Sequence, residues 1–97
     1  MKKDKEKVLD EVWTEDRVRE FLNVEAKAGV DADFHRLLKA YQSMRADDFA
    51  LFIGMFLEAG GNINAVDSAQ RSVLSYAKEH RNSDDYIAAL EKHGASL

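Results

Sequence analysis

The feature that most constrains the fold is a ten-residue pattern that occurs twice. The segment FIGMFLEAGG at 52–61 aligns without gaps with YIAALEKHGA at 86–95, an offset of 34 residues. Each copy carries apolar residues at positions i, i+1 and i+4 and then ends in a glycine, Gly60 or Gly94. This spacing places the apolar residues on one helix face, and glycine readily adopts the left-handed conformation that ends a helix. The pattern therefore predicts two equivalent helices within a unit that recurs along the chain.

Helical periodicity continues through the other segments, and none of them alternates between apolar and polar residues as a strand would. The apolar stripes are Val8, Leu9, Val12 and Trp13; Val18, Phe21 and Leu22; Phe34, Leu37, Leu38, Tyr41 and Met44; Phe49, Phe52, Ile53, Phe56 and Leu57; Val73, Leu74 and Ala77; and Tyr86, Ile87 and Leu90. They predict an all-α protein with five or six short helices.

Short polar residues indicate where these helices begin. Thr14 and Ser83 are predicted N-caps, and either Asp31 or Asp33 could cap the helix that contains Leu37. Residues 23–33 are predicted to be a loop, residues 45–48 a tight connection, and residues 62–70 a turn-rich segment.

Residues 47–97 resemble an ankyrin repeat array. The residues that carry this resemblance are Leu57, Gly60, Gly61, Asn64, Ala65 and Asp67, followed by Ser72, Val73, Leu74, Ser75 and Ala77. The sequence departs from the ankyrin pattern at Gln70, where glycine is expected, at Val73, which replaces proline, and at Ser75, which replaces histidine. The resemblance implies a short stack of helix pairs with a core of Phe49, Phe52, Ile53, Phe56, Leu74, Ala77, Ile87 and Leu90. Asn64 and Asp67 would stabilise the turn between the pairs.

The chain of 97 residues has the length of a single domain. We expect residues 34–97 to form the ankyrin-like helix pairs and residues 1–33 to form a charged tail and an N-terminal helical cap, because two repeats alone rarely suffice for stability. The cap would pack against the helix of Leu37 and bury Trp13 and Phe21, although Trp13 could instead anchor a partner. The whole chain also resembles a family of small uncharacterised bacterial proteins, which implies no function.

Composition argues against several classes of function. The chain contains no cysteine, and its net charge of -4 gives no general attraction to nucleic acid or to a membrane surface. His35, His80 and His93 share no helix at metal-binding spacing, and no phosphate loop or nucleophile elbow is present. The longest apolar run, 49–57, has nine residues, too few to span a bilayer. We expect a cytoplasmic protein that is not an enzyme and needs no metal or cofactor.

The ankyrin resemblance implies that partners bind at the turn tips and on the exposed side of the first helix of each pair. The candidate partner-binding residues are Val66, Ser68, Gln70, Arg71, Tyr76 and Glu79. Tyr76 could equally belong in part to the core. A non-catalytic protein–protein interaction module is therefore predicted, as a monomer or a weak homodimer with an unidentified protein partner. A self-associating structural protein, which would bury an uncapped end near Leu97, and a nucleic-acid-associated protein are the alternatives.

Overall fold

The computed structural model describes residues 14–26, 28–81 and 83–96, and over these ranges the chain is all-α, as predicted. The helices are α1 (Glu15–Arg19), a 3-10 helix (Glu20–Asn23), α2 (Ala32–Ser43), α3 (Ala46–Glu58), α4 (Val73–Glu79) and α5 (Asp84–Lys92). No helix in these ranges combines the length and the apolar character that crossing a membrane requires.

Side-chain caps fix the start of the first two α-helices. The Thr14 hydroxyl accepts a hydrogen bond of 3.1 Å from the Arg17 backbone N–H, which confirms the predicted cap of α1. Of the two aspartates considered for α2, Asp31 is the cap, because its carboxylate accepts from the Phe34 N–H at 3.0 Å. Asp33 lies in the first turn of α2, where a carboxylate interacts favourably with the helix dipole.

Two predicted helix boundaries were wrong by a few residues. The connection predicted at residues 45–48 is shorter, because α3 already begins at Ala46. Alanine favours the helix, and Asp47 and Asp48 in the first turn stabilise its positive end, so the helix extends further towards the N-terminus. The loop predicted at residues 23–33 similarly ends early, since α2 starts at Ala32.

The four longer helices pack as two pairs, and their apolar faces form one shared core. Helix α2 packs on α3 and α4 packs on α5, while α3 also contacts α5 and α2 also contacts α4. All the predicted core residues are buried except Ile87, which is half-buried. The largest completely buried side chains include Phe49, Phe52 and Phe56 on α3. Burying each of these rings contributes about 2–3 kcal/mol, so α3 is the centre of the core.

The 34-residue repeat recurs in the backbone at the ends of α3 and α5. Gly60 and Gly94 both have a positive φ, +89° and +104°. After each glycine the next N–H turns back to the helix, from Gly61 to the Phe56 carbonyl at 2.9 Å and from Ala95 to the Leu90 carbonyl at 3.0 Å. These are the bonds of a Schellman motif, and they stop both helices in the same way.

A second pair of equivalent hydrogen bonds lies one residue further along the chain in each of the two turns. The Asn62 N–H donates to the Asp33 carboxylate at 2.9 Å, and the Ser96 N–H donates to the Asn64 side-chain oxygen at 2.9 Å. Residues 62 and 96 are again 34 positions apart. Each turn is thus tied to a polar side chain from the preceding part of the chain, and Asn64 fastens one turn to the next.

Residues 15–23 pack against both α2 and α3. Val18 on α1 is completely buried, Phe21 on the 3-10 helix is half-buried, and Trp13 lies outside the described residues. Helix α1 contacts α3, whereas the 3-10 helix contacts α2, so this part spreads over both helices instead of packing on the Leu37 helix alone. The Arg36 Nε donates to the Val24 carbonyl at 2.9 Å and holds the following loop against α2.

Candidate functional site

A tight β-hairpin joins the two helix pairs. Val66 and Ser72 form an antiparallel bridge, and the Asp67 N–H donates to the Arg71 carbonyl at 3.0 Å. Within the loop the Gln70 N–H donates to the Asp67 carbonyl at 2.9 Å, and Gln70 has a φ of +64°. This is the three-residue hairpin loop that ends in a left-handed residue. Residues 62–70 were predicted to form turns, but a single bridge is too short to produce the alternation that reveals a strand.

The Asp67 carboxylate stabilises the hairpin by accepting hydrogen bonds from its backbone and from α4. One oxygen accepts from the N–H groups of Ala69 at 2.9 Å and Arg71 at 3.0 Å, and the other accepts a hydrogen bond from the Tyr76 hydroxyl. The Tyr76 hydroxyl and these backbone donors hold the pKa of Asp67 below its usual range, and the Asp67 carboxylate raises the pKa of Tyr76. The predicted role of Asp67 in the turn is therefore confirmed.

Three of the predicted partner-binding residues meet beside this carboxylate. The Arg71 guanidinium lies over the Tyr76 ring, 4.4 Å from its centroid, and also forms an ion pair with Glu79. Such a pair at a half-exposed position contributes little stability, while a cation over an aromatic face adds about 0.5–1 kcal/mol. The result is a fixed orientation for Tyr76, which is half-buried and packs against the core.

Tyr76 forms one wall of an open groove between α2 and α4. The groove has a volume of about 300 Å³ and is lined by Phe34, Leu38, Gln42, Asp67, Tyr76 and His80. The Tyr76 and Phe34 ring centroids are 6.2 Å apart, so the two rings pack against each other in the groove wall. The α2 residues of the groove were not predicted, because the apolar stripe of this helix shows which residues face the protein interior but not which of them border a groove. Leu37 is completely buried, and Leu38, one residue further round, is half-buried in the groove.

A polar cluster lies at the end of the groove and connects α2 with the loop between α4 and α5. The Tyr41 hydroxyl hydrogen-bonds to the His80 Nδ1 at 2.6 Å and to the Ser83 hydroxyl at 3.1 Å, and the Tyr41 and His80 rings stack. Ser83 occupies the predicted N-cap position of α5 but makes no cap hydrogen bond. The predicted N-cap position is therefore confirmed, but the Ser83 hydroxyl is engaged by the buried Tyr41 hydroxyl and not by the helix backbone.

A second cavity lies beside the hairpin. Its volume is about 470 Å³, and it is lined by Asn64, Val66, Gln70, Ser72, Ser75 and Ser96. The predicted partner surface is therefore divided. Tyr76 lines the groove with Arg71 and Glu79 beside it, whereas Val66 and Gln70 line the second cavity. Ser68 is exposed at the hairpin tip and lines neither cavity.

The histidines have distinct environments. His80 and His93 are the C-cap residues of α4 and α5, as their predicted helix-end positions imply, and His35 is half-exposed on α2. Within residues 14–26, 28–81 and 83–96, no group of three or more histidine, cysteine, aspartate or glutamate side chains is arranged to hold a metal ion. Comparisons with protein-family models, with curated proteins and with solved structures gave no significant match to this chain.

Proposed function

We propose that this protein is a non-catalytic protein-interaction module that binds its partner in the groove between α2 and α4. The observation that carries the proposal is the fixed position of Tyr76 in that groove. Its hydroxyl is held by Asp67 and its ring lies under Arg71. Tyrosine and arginine are the residue types most often found where a few side chains provide most of the binding energy.

Preorganisation is the physical reason that this groove suits a protein partner. A side chain that is already fixed loses little conformational freedom on binding, so more of the contact energy appears as affinity. Leu38 adds apolar surface next to Tyr76 with the buried Phe34 behind it, and Gln42 and His80 provide polar groups at the edge. A partner that inserts an apolar side chain would displace water from carbon surface and still find hydrogen-bonding groups around it.

The proposed scaffold is an ankyrin-like stack. Two helix pairs that contact each other through both members, a hairpin between the pairs and a helix stop repeated after 34 residues all support it. In such stacks the first helices of successive pairs form the inner surface, and α2 and α4 hold those positions here.

The outer surface of α5 favours this module over a self-associating protein. The residues on that surface are Asp84, Asp85, Ala88, Glu91 and Lys92, which are all exposed. Lys78 on α4 also forms an ion pair with Glu91 at 3.1 Å. A polar outer face is what terminal units of a stack need for solubility, and stacking a second copy here would bury these charges.

Site-specific photo-crosslinking in native lysate tests the proposed groove. A benzophenone amino acid at position 42 should crosslink to specific partners, whereas the same group at position 58, on the exposed end of α3, should not. The variant Leu38→Glu places a charge in the groove and should abolish the crosslink from position 42. Leu51→Glu is the matched control, because Leu51 is an exposed leucine in the middle of α3.

Folding must be checked by circular dichroism and thermal melting, so that loss of binding is not confused with unfolding. If position 42 gives no partner that position 58 lacks, or if Leu38→Glu retains the same crosslinks as Leu51→Glu, the groove is not the binding surface.

A further inference from the structure

The cavity beside the hairpin has a chemistry different from that of the groove. None of its lining residues is charged, and all except Val66 carry a hydroxyl or an amide: Asn64, Gln70, Ser72, Ser75 and Ser96. The Arg71 guanidinium lies 3.4 Å from the Ser75 hydroxyl but is paired with Glu79, so a charged ligand would lose its hydration here without meeting an unpaired opposite charge. The lining therefore selects for a neutral ligand that both donates and accepts hydrogen bonds.

Part of this hydrogen-bonding capacity is not used by the folded chain. The Asn64 side-chain oxygen accepts from the Ser96 N–H and its NH₂ group donates to the Gly94 carbonyl. The Ser72 hydroxyl accepts from the Ser75 N–H, and the Ser75 hydroxyl accepts from the Arg71 guanidinium. The Gln70 amide makes no hydrogen bond with any part of the chain that the structure describes. Its carbonyl and its NH₂ group can both serve a ligand.

Gln70 has a backbone conformation that residues with a side chain disfavour. Gln70 is the only non-glycine residue of the described ranges with a positive φ, +64°. Glycine would adopt this conformation without strain, and the side chain makes no compensating contact by hydrogen bonding. A strained residue whose side chain is not used for folding points to a role in binding.

An unpaired strand edge lies next to the same cavity. Val66 faces Ser72 as a non-hydrogen-bonded pair, because the adjacent bond runs from the Asp67 N–H to the Arg71 carbonyl. In such a pair the N–H and C=O of Val66 point away from the hairpin. Exposed groups of this kind can pair with an additional strand.

We propose that this cavity binds an extended, uncharged peptide segment. The segment adds as a strand along the Val66 edge, on the side away from Ser72, and places small hydroxyl or amide side chains towards Asn64, Ser96 and the Gln70 amide. Main-chain bonds to Val66 provide affinity, and the neutral lining selects against charged side chains. This site does not depend on the groove between α2 and α4, so either proposal can fail without the other.

Titration of the ¹⁵N-labelled protein with defined peptides tests the proposal. The probe is the acetylated and amidated heptapeptide GSNVNSG. It should shift the amide signals of Val66 and Ser96 and the side-chain NH₂ signal of Gln70 in a saturable manner. Methylation of the peptide's central nitrogen, which removes a strand donor, should weaken binding about tenfold. Lysine or aspartate in place of both asparagines should weaken it by a similar factor.

Two protein variants complete the test. Gln70→Gly relieves the backbone and removes the amide, so it should bind the peptide about tenfold more weakly while folding at least as stably as the wild type. Lys39→Ala, at an exposed position on α2, should bind as the wild type does. Absence of saturable shifts, equal binding of the N-methylated or charged peptides, or full affinity in Gln70→Gly would each overturn the proposal.

Discussion

Gln70 combines a backbone conformation that glycine prefers with a side chain that the fold does not use. The left-handed conformation costs a residue with a Cβ about 1 kcal/mol, which the hairpin must offset through its other contacts. The Ala69 and Arg71 N–H groups, on either side of Gln70, donate hydrogen bonds to the Asp67 carboxylate and provide such contacts. The hairpin thus keeps its geometry although its sequence lacks the residue best suited to the loop.

We therefore expect Gln70→Gly to raise the free energy of unfolding by about 0.5–1 kcal/mol, because the relieved strain exceeds the added freedom of the unfolded chain. Urea denaturation followed by circular dichroism measures this difference. The control Lys39→Gly, at an exposed position inside α2, should lower stability by about 1 kcal/mol. A Gln70→Gly protein that is less stable than the wild type would show that the loop is not strained at this residue.

The pair of Asp67 and Tyr76 makes stability depend on pH. Because the pKa of Asp67 is lowered in the folded state, its contribution is present above the unfolded-state pKa of about 3.9 and is lost as the pH falls through the folded-state value. Tyr76→Phe removes the donor that lowers this pKa most. The drop in unfolding free energy between pH 6 and pH 2.5 should therefore be smaller in Tyr76→Phe than in the wild type.

Tyr86→Phe is the matched control for that comparison, since the Tyr86 hydroxyl donates to the Met44 carbonyl and not to a carboxylate. It should show the same drop between pH 6 and pH 2.5 as the wild type. Equal drops in all three proteins would mean that the Tyr76 hydroxyl does not control the ionisation of Asp67.

Among the elements, α2 is held to the second helix pair by a polar contact as well as by packing. Tyr41 reaches across to His80 at the end of α4 and to Ser83 before α5. Ser83 is only 5% exposed, so water cannot easily replace a missing partner. This contact fixes how α2 is placed relative to the loop between α4 and α5, and thereby sets the width of the groove.

Removal of the Tyr41 hydroxyl should show how much its hydrogen bonds to His80 and Ser83 contribute to stability. Tyr41→Phe is expected to lower stability by about 1–3 kcal/mol, because the buried Ser83 hydroxyl loses its partner. In the double variant Tyr41→Phe with Ser83→Ala, the loss should be smaller than the sum of the two single losses. Chemical denaturation of the four proteins measures the coupling, and strictly additive losses would contradict it.

Individual elements show what the sequence could and could not predict. Helices α3 and α5 were predicted with their glycine stops, because regular apolar spacing and a left-handed glycine are local signals. The hairpin bridge was missed since it pairs only Val66 with Ser72. The groove position of Leu38 and the hydrogen bond of Ser83 were not predicted for a different reason: they depend on Tyr76 and Tyr41 respectively, which are distant in sequence from them. Tertiary partners of this kind leave no periodic pattern.

At the scale of the whole molecule, the helices expose different chemistry on different sides. The groove lies between α2 and α4, whereas the outer side of α5 carries mainly charged residues. Leu51 and Val30 are the large apolar residues that remain most exposed in the described ranges. These two residues are on different elements, and isolated exposed apolar residues of this kind are usual on protein surfaces.

We therefore expect the protein to be a monomer of 11.0 kDa in solution. Sedimentation equilibrium at micromolar to near-millimolar concentrations measures this mass. A concentration-dependent rise towards twice the monomer mass would contradict the expectation and would favour the self-associating alternative. In that case Glu91→Lys, which breaks the ion pair with Lys78, would show whether the α5 side forms the contact.

The recurring bonds of Asn62 and Ser96 have a consequence for how the molecule opens. Both N–H groups lie in exposed turns, where backbone amides usually exchange with deuterium within seconds to minutes. Here Asp33 holds the first and Asn64 holds the second, so each amide can exchange only when its turn separates from the preceding segment. Equal protection of the two amides would mean that both helix pairs open together. Faster exchange at Ser96 would mean that the stack unzips from its C-terminal end.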